Sequence, residues 1–226
     1  MRQDRARVWL DGAADRSPRL AQRRAALALL TATALAALRP ARGLAAEMHD
    51  AHAGHRHVIP DLSRTLADYM VPDVKLVRDD GKTVALGKEL DDGRAVVLSF
   101  IYTSCTTVCP VTSATLSQLQ QQLGPSEREG VHFVSISIDP EYDTPARLYE
   151  YGKRFHAGPQ WQHYTGTLAA SQTAQRAFNV YRGDKMNHVP TTLMRAKPGD
   201  RWVRLDGFAT ADQLLAELRG ICTTSR

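Results

Sequence analysis

The sequence is poor in cysteine, carries no long apolar run, and has no excess of basic charge outside its first segment. Three cysteines in 226 residues are too few, and odd in number, for the disulfide framework of a small secreted scaffold. A domain of about 160 residues buries enough surface without such staples, so the cysteines point to chemistry rather than to stapling. The apolar stretch over residues 25–38, fourteen residues without a charge, falls short of the roughly 20 that a helix needs to cross a bilayer. Internal repeats, low-complexity core segments and a glycine-rich nucleotide loop are all missing. The net charge of +5 is concentrated at the start of the chain: residues 1–45 hold nine Arg and three Asp, whereas the remainder holds 20 basic and 21 acidic groups. A near-neutral main domain gives no support to nucleic-acid binding.

What the first segment does have is the layout of an export signal. An arginine-rich stretch ending in Arg23-Arg24 precedes the apolar run; Arg39-Pro40 breaks it, and Gly43-Leu44-Ala45 supplies small residues for a signal peptidase. Residues 1–45 are therefore expected to be a signal peptide or a membrane anchor, which places the protein in the periplasm or cell envelope, held at the inner membrane if the segment is retained. Residues 46–61 are expected to be a histidine-rich leader with Met48, His49, His52, His55 and His57. Imidazole and thioether on such a tail suit copper, zinc or nickel, and the same composition also suits an inert leader. A domain over 62–220 and a C-terminal tail over 221–226, containing Cys222, complete the expected organisation.

Within the domain, short runs over 74–77 and 83–86 flank Asp79-Asp80-Gly81-Lys82, a hairpin signal, and 87–93 reads as a polar connection. The run over 95–101 is apolar without alternation, which predicts a central strand buried on both faces. A helix follows with Pro110 in its first turn and Leu116, Leu119 and Leu123 on one face, ending at Gly124-Pro125. A second buried strand spans 131–138. Asp143 or Thr144 then caps a helix that opens on Pro145 and reaches about Phe155. A short strand over 161–164, a helix from Thr167 to about Phe178, a hairpin of 191–194 with 202–205, and a helix from Thr210 to Arg219 close the domain. This order predicts an α/β sandwich with a mixed sheet, the layout of a thioredoxin-like fold with an N-terminal β-hairpin and an insertion before the closing hairpin.

The first central strand delivers Cys105-Thr106-Thr107-Val108-Cys109-Pro110 to the start of a helix. Two thiols at this corner, Cys105 in the loop and Cys109 in the first turn, can form a redox-active disulfide, hold a soft metal, or attack a substrate. Helix N-terminal amides favour a thiolate, and soft thiolates select Cu(I).

Tyr102-Thr103-Ser104-Cys105-Thr106-Thr107-Val108-Cys109-Pro110, together with Ile136-Ser137-Ile138-Asp139-Pro140-Glu141-Tyr142-Asp143-Thr144-Pro145, resembles the signature of the Sco/SenC copper chaperones of cytochrome oxidase assembly. The likeness covers roughly 62–219. It implies a metal site of Cys105, Cys109 and His188 for Cu(I) or Cu(II), and delivery of copper to the copper-site subunit of cytochrome c oxidase or to another cuproprotein, with a thiol reductant as a second partner. At one place the chain departs from the family pattern: Met186-Asn187-His188-Val189-Pro190-Thr191 stands where that family carries Asp-His-Ser. Val189-Pro190-Thr191 is similar instead to the cis-proline loop of thioredoxins, and this keeps open an alternative function, a thiol-disulfide oxidoreductase that reduces the metal-site cysteines of a partner. Thr107-Val108-Cys109-Pro110 is also similar to the peroxiredoxin loop, although Cys105 intrudes just before it. Met186 is either a thioether neighbour of the metal or a surface residue.

Overall fold

The computed structural model describes residues 62–225; the expected export signal and the histidine-rich leader lie outside them. One mixed sheet of eight strands forms the frame: β1 (Ser63–Ala67), β2 (Lys75–Arg78), β3 (Thr83–Ala85), β4 (Ala95–Ile101), β5 (Val131–Ser137), β6 (Trp161–Thr165), β7 (Thr191–Arg195) and β8 (Trp202–Asp206), in the spatial order β1-β8-β7-β4-β5-β6-β2-β3. β4, β5 and β6 are mutually parallel. β7 runs antiparallel to β4, from Val96 opposite Arg195 to Ser99 opposite Thr192. The helices are α1 (Leu86–Leu90), α2 (Val108–Gln122), α3 (Pro125–Glu129), α4 (Pro145–Arg154), α5 (Leu168–Ala177) and α6 (Ala211–Thr224), with a 3-10 turn at Lys185–Asn187.

The lack of alternation in β4 has the expected cause, since all seven of its residues are buried. Its pleat divides them between two layers of core. Val96, Leu98 and Phe100 join Leu76, Val134, Ile136, Phe178 and Trp202 on one face. Ala95 and Val97 join Phe133, Trp161, Val203, the α2 leucines 116, 119 and 123, and the α6 leucines 214 and 218 on the other. At about 1.5–3 kcal/mol for each fully buried aliphatic or Phe side chain, these two layers dominate the stability of the domain. Three helices start on threonine caps: Thr144, Thr167 and Thr210 accept hydrogen bonds from the amides of Arg147, Ala170 and Gln213. Thr144, not Asp143, is thus the cap of α4, and this frees Asp143 for another task.

The thioredoxin-like architecture stands as expected, with differences of detail. β1 is an added edge strand paired to β8; four of its five residues are exposed, so no apolar periodicity marks it. The connection after β3 contains α1, because Leu86 and Leu90, one helical turn apart, are both fully buried. α3 occupies the link between α2 and β5. α6 continues past Gly220 to Thr224, so Cys222 belongs to a helix and packs on the second core layer rather than lying in a polar tail.

Candidate metal centre

β4 ends at Ile101, and residues 102–107 turn the chain into α2. The Cys105 amide donates to the Tyr102 carbonyl at 3.1 Å, which closes the turn. Thr107, at the N-cap position, makes no side-chain capping bond; the sulfur of Cys105 takes over part of that duty by accepting from the Cys109 amide at 3.4 Å. An orphan N–H at a helix start is thereby aimed at a sulfur, and this favours the anionic form of that sulfur. Cys105 is 8% and Cys109 1% exposed. Both sit in a small apolar cluster with Ile101, Tyr102, Leu148 and Tyr151, so the thiols turn inward while Ser104, Thr106 and Thr107 stay exposed.

The two thiols differ electrically. Burial works to raise the Cys105 pKa, yet hydrogen bonds from the amides of Cys109 and Thr107, and from Cys109 and Tyr102 side chains, bring it down to about 7. Burial pushes the Cys109 thiol far up; the neighbouring Cys105 adds to the rise and a bond from the Tyr102 backbone offsets part of it. In the reduced protein, Cys105 should therefore react with iodoacetamide with a midpoint near pH 7, while Cys109 stays unlabelled well into alkaline pH. Peptide mass spectrometry of timed labelling measures this; labelling of Cys109 first contradicts the asymmetry.

His188 comes from the segment between α5 and β7, just after the 3-10 turn, whose C-terminal end it caps. Its Nε2 lies 2.9 Å from the Phe100 carbonyl, beyond the last β4–β7 register pair at Ser99 and Thr192. The imidazole thus occupies the carbonyl at the point where the ladder ends. A carbonyl only accepts, so Nε2 carries the hydrogen and Nδ1 keeps the lone pair. Burial pushes the His188 pKa down, with Arg182 adding to the fall and the Phe100 carbonyl opposing it; a neutral ring is the form that ligates a metal. Tyr102 neighbours both parts of the site: its ring centroid is 6.5 Å from that of His188 in an edge-on arrangement, and it shares an apolar cluster with the two cysteines. The Val189–Pro190 peptide is trans, since no described peptide bond is cis, and the cis-proline expectation is corrected accordingly.

The acidic loop after β5 ties these pieces together. Asp143 is fully buried and its carboxylate accepts from the Thr103 amide at 3.1 Å, the Thr103 hydroxyl at 2.5 Å and the Ser137 hydroxyl at 2.6 Å. Asp139 pairs with Lys185 at 2.5 Å, fastening the turn that carries His188. One aspartate thus anchors the cysteine loop and the other the histidine segment. Sequence reasoning missed these roles. The signal lay in two acids on one short loop, but their partners, Thr103 and Lys185, are remote in sequence.

Cys105 and Cys109 are side by side, and His188 neighbours Tyr102, which packs with both. Among the described residues no three His, Cys, Asp or Glu side chains are gathered into one ligating group. The donors nonetheless suit copper: two sulfurs, one of them readily ionised, and a neutral imidazole with a free nitrogen are soft and borderline ligands for Cu(I) and Cu(II). His132 and His163 are buried elsewhere. His132 bonds the Glu89 carbonyl and Tyr164, and His163 stacks on Trp161, so both remain structural.

A thioredoxin-like sheet that presents a dithiol at a strand-to-helix corner, faced by the loop before its closing hairpin, defines the thioredoxin-like class of thiol proteins. The SCO1/SenC family model matches residues 63–222, and the chain belongs to that family. Curated relatives include the mitochondrial SCO1 homolog 1 of Arabidopsis thaliana, 33% identical over 106 residues, which are 47% of this chain and 30% of that protein. The SCO1 homolog of Bacillus subtilis is 33% identical over 100 residues, 44% of this chain and 50% of that one; the matched stretch spans half or less of these relatives. Among solved structures, copper-bound ScoI of A. thaliana aligns at 26% identity and TM-score 0.56 over 66% of this chain and 96% of its own. BsSco, described as a member of the Sco family of cytochrome c oxidase assembly proteins with a disulfide switch, aligns at 24% and 0.59 over 70% and 96%. A SCO1/SenC family lipoprotein of Bacillus anthracis aligns at 21% and 0.59 over 70% and 98%.

Proposed function

We propose that this protein binds copper through Cys105, Cys109 and His188 and delivers it to the copper site of cytochrome c oxidase or of another cuproprotein. The observation that carries the reading is the pairing of a low-pKa thiol with a second, buried thiol, where the Cys109 amide meets the Cys105 sulfur at 3.4 Å. Family membership supports it, as does a family structure with copper bound. The Nδ1 lone pair of His188 would supply the third ligand. The arginine-rich start and apolar run of residues 1–45 support export to the periplasm or cell envelope. The existence of a family lipoprotein agrees with a membrane-associated place of work. Among the described residues no helix is long and apolar enough to cross a membrane.

A second reading, thiol-disulfide exchange with a partner's metal-site cysteines, is favoured by the same inequality of the two thiols. The ionised outer thiol attacks the partner disulfide, and the inner thiol, on giving up its proton to solvent, resolves the mixed disulfide and releases the partner's second thiolate.

Electronic spectra of the full chain loaded with Cu(II) test the copper reading. A thiolate-to-copper charge-transfer band is expected in the parent protein. In His188→Ala the band should be lost or strongly shifted, with affinity lower by about 10²–10³-fold, the share of one ligand of the site. A parent protein without such a band, or a variant with an identical spectrum, rejects His188 as a ligand.

A further inference from the structure

The family-type site leaves one soft donor unused. Met186 is 73% exposed, yet its backbone is held firmly. Its amide donates to Asp184 Oδ1 at 2.9 Å, the Asn187 amide donates to the Asp184 carbonyl at 3.0 Å, and Lys185 on the same turn is pinned by Asp139. The thioether Sδ lies 3.9 Å from the Tyr102 hydroxyl, and Tyr102 packs in one apolar cluster with Cys105, whose amide donates to the Tyr102 carbonyl at 3.1 Å. A single tyrosine side chain therefore touches the exposed thioether and packs with the outer thiol of the pair. Met186 also precedes His188 by two residues, on the turn whose C-terminal end His188 caps, so the turn that holds the thioether also sets the imidazole.

We propose that Met186 is a transfer ligand: an outer thioether that takes Cu(I) from an incoming donor, passes it inward to Cys105, and serves in reverse when copper leaves. The inference rests on the reading of Cys105, Cys109 and His188 as the copper site, with copper as cargo. Chemically the step is a ligand exchange with no change of oxidation state. As the Cu–Sγ bond to Cys105 forms, the Cu–Sδ bond to Met186 breaks, and any proton still on the accepting thiol leaves to solvent. A thioether suits the outer position because it is soft, uncharged and proton-free, so it binds Cu(I) without having to ionise and holds it less firmly than a thiolate. Its three rotatable bonds let it swing between solvent and the thiol. An apolar docking role for the same side chain requires only shape, and leucine supplies that equally well.

The test loads the full-length, reduced protein with one equivalent of Cu(I) and follows its removal by a chromogenic Cu(I) chelator in a stopped-flow instrument. Met186→Leu is expected to slow transfer about tenfold, equivalent to about 1.4 kcal/mol in the barrier, and to weaken equilibrium affinity by no more than about threefold. As a second readout, Ag(I) as a redox-inert probe should shift the methionine ε-methyl NMR signal that is missing from Met186→Leu. Equal transfer rates, or a methyl signal indifferent to Ag(I), overturn the transfer role while leaving the three-ligand site intact. A parent protein that takes up no Cu(I) overturns the site itself.

Discussion

Cys109→Ser is expected to lower Cu(I) affinity by on the order of 10²–10³-fold. Four-ligand thiolate and imidazole sites deliver about 10–16 kcal/mol of apparent binding free energy, so one ligand carries roughly 3–4 kcal/mol, and each 1.4 kcal/mol is tenfold. A serine hydroxyl is a hard donor with no readily ionised form, and at 1% exposure solvent does little to replace the lost sulfur. Cys105→Ala should lose as much affinity, and in addition should destabilise the apo protein, because it removes the sulfur that accepts from the Cys109 amide at the start of α2. Loss of such a capping contact costs about 1 kcal/mol. The pair of variants therefore separates two contributions: comparable losses of copper, unequal losses of stability. Competition against a Cu(I) chelator and chemical denaturation of the apo forms measure them. A Cys109→Ser protein within about threefold of the parent in affinity rules out a two-thiolate site.

How far the sequence disclosed this site depends on how far apart its parts lie along the chain. The dithiol was legible because Cys105 and Cys109 are local to one corner, and an unbroken apolar strand running into a helix marks that corner without help from the rest of the chain. The central strands and the leucine face of α2 were legible for the same reason, their periodicity being local. β1 was not, since an exposed edge strand needs only a ladder partner, and β8 lies some 140 residues on. α1 was not, because five residues with two buried leucines are too short to show a period. His188 could be nominated only through family likeness, and its bond to the Phe100 carbonyl, 88 residues away, has no trace in sequence. The same holds for Asp143. As a residue before a helix it reads as a cap, and only the fold shows that Thr144 caps the helix while the neighbouring carboxylate turns inward.

That inward turn makes Asp143→Ala the substitution with the largest expected effect on stability. Three donors converge on the carboxylate: the Thr103 amide, the Thr103 hydroxyl and the Ser137 hydroxyl. Each buried donor left without a partner costs about 1–3 kcal/mol, and partial repair by water and by rotation of the hydroxyls leaves a net loss of about 3–5 kcal/mol. For a domain of this size that is a fall in Tm of roughly 8–15 °C. Thr103 begins the cysteine loop, so copper affinity should fall as well, although Asp143 need not touch the metal. Asp143→Asn keeps one carbonyl acceptor and should lose less than half as much stability. Burial pushes the Asp143 pKa above its ordinary value, and the bonds from Ser137 and Thr103 offset only part of the rise. The folded state therefore binds this proton more tightly than the unfolded chain does. The linked stabilisation is complete below the ordinary aspartate value and is lost as pH rises through the raised one. Denaturation of parent and Asp143→Asn across that window should show this component of the slope in the parent alone. An Asp143→Ala protein as stable as the parent, with unchanged copper affinity, removes Asp143 from the support of the site and leaves the cysteine loop held by its own turn.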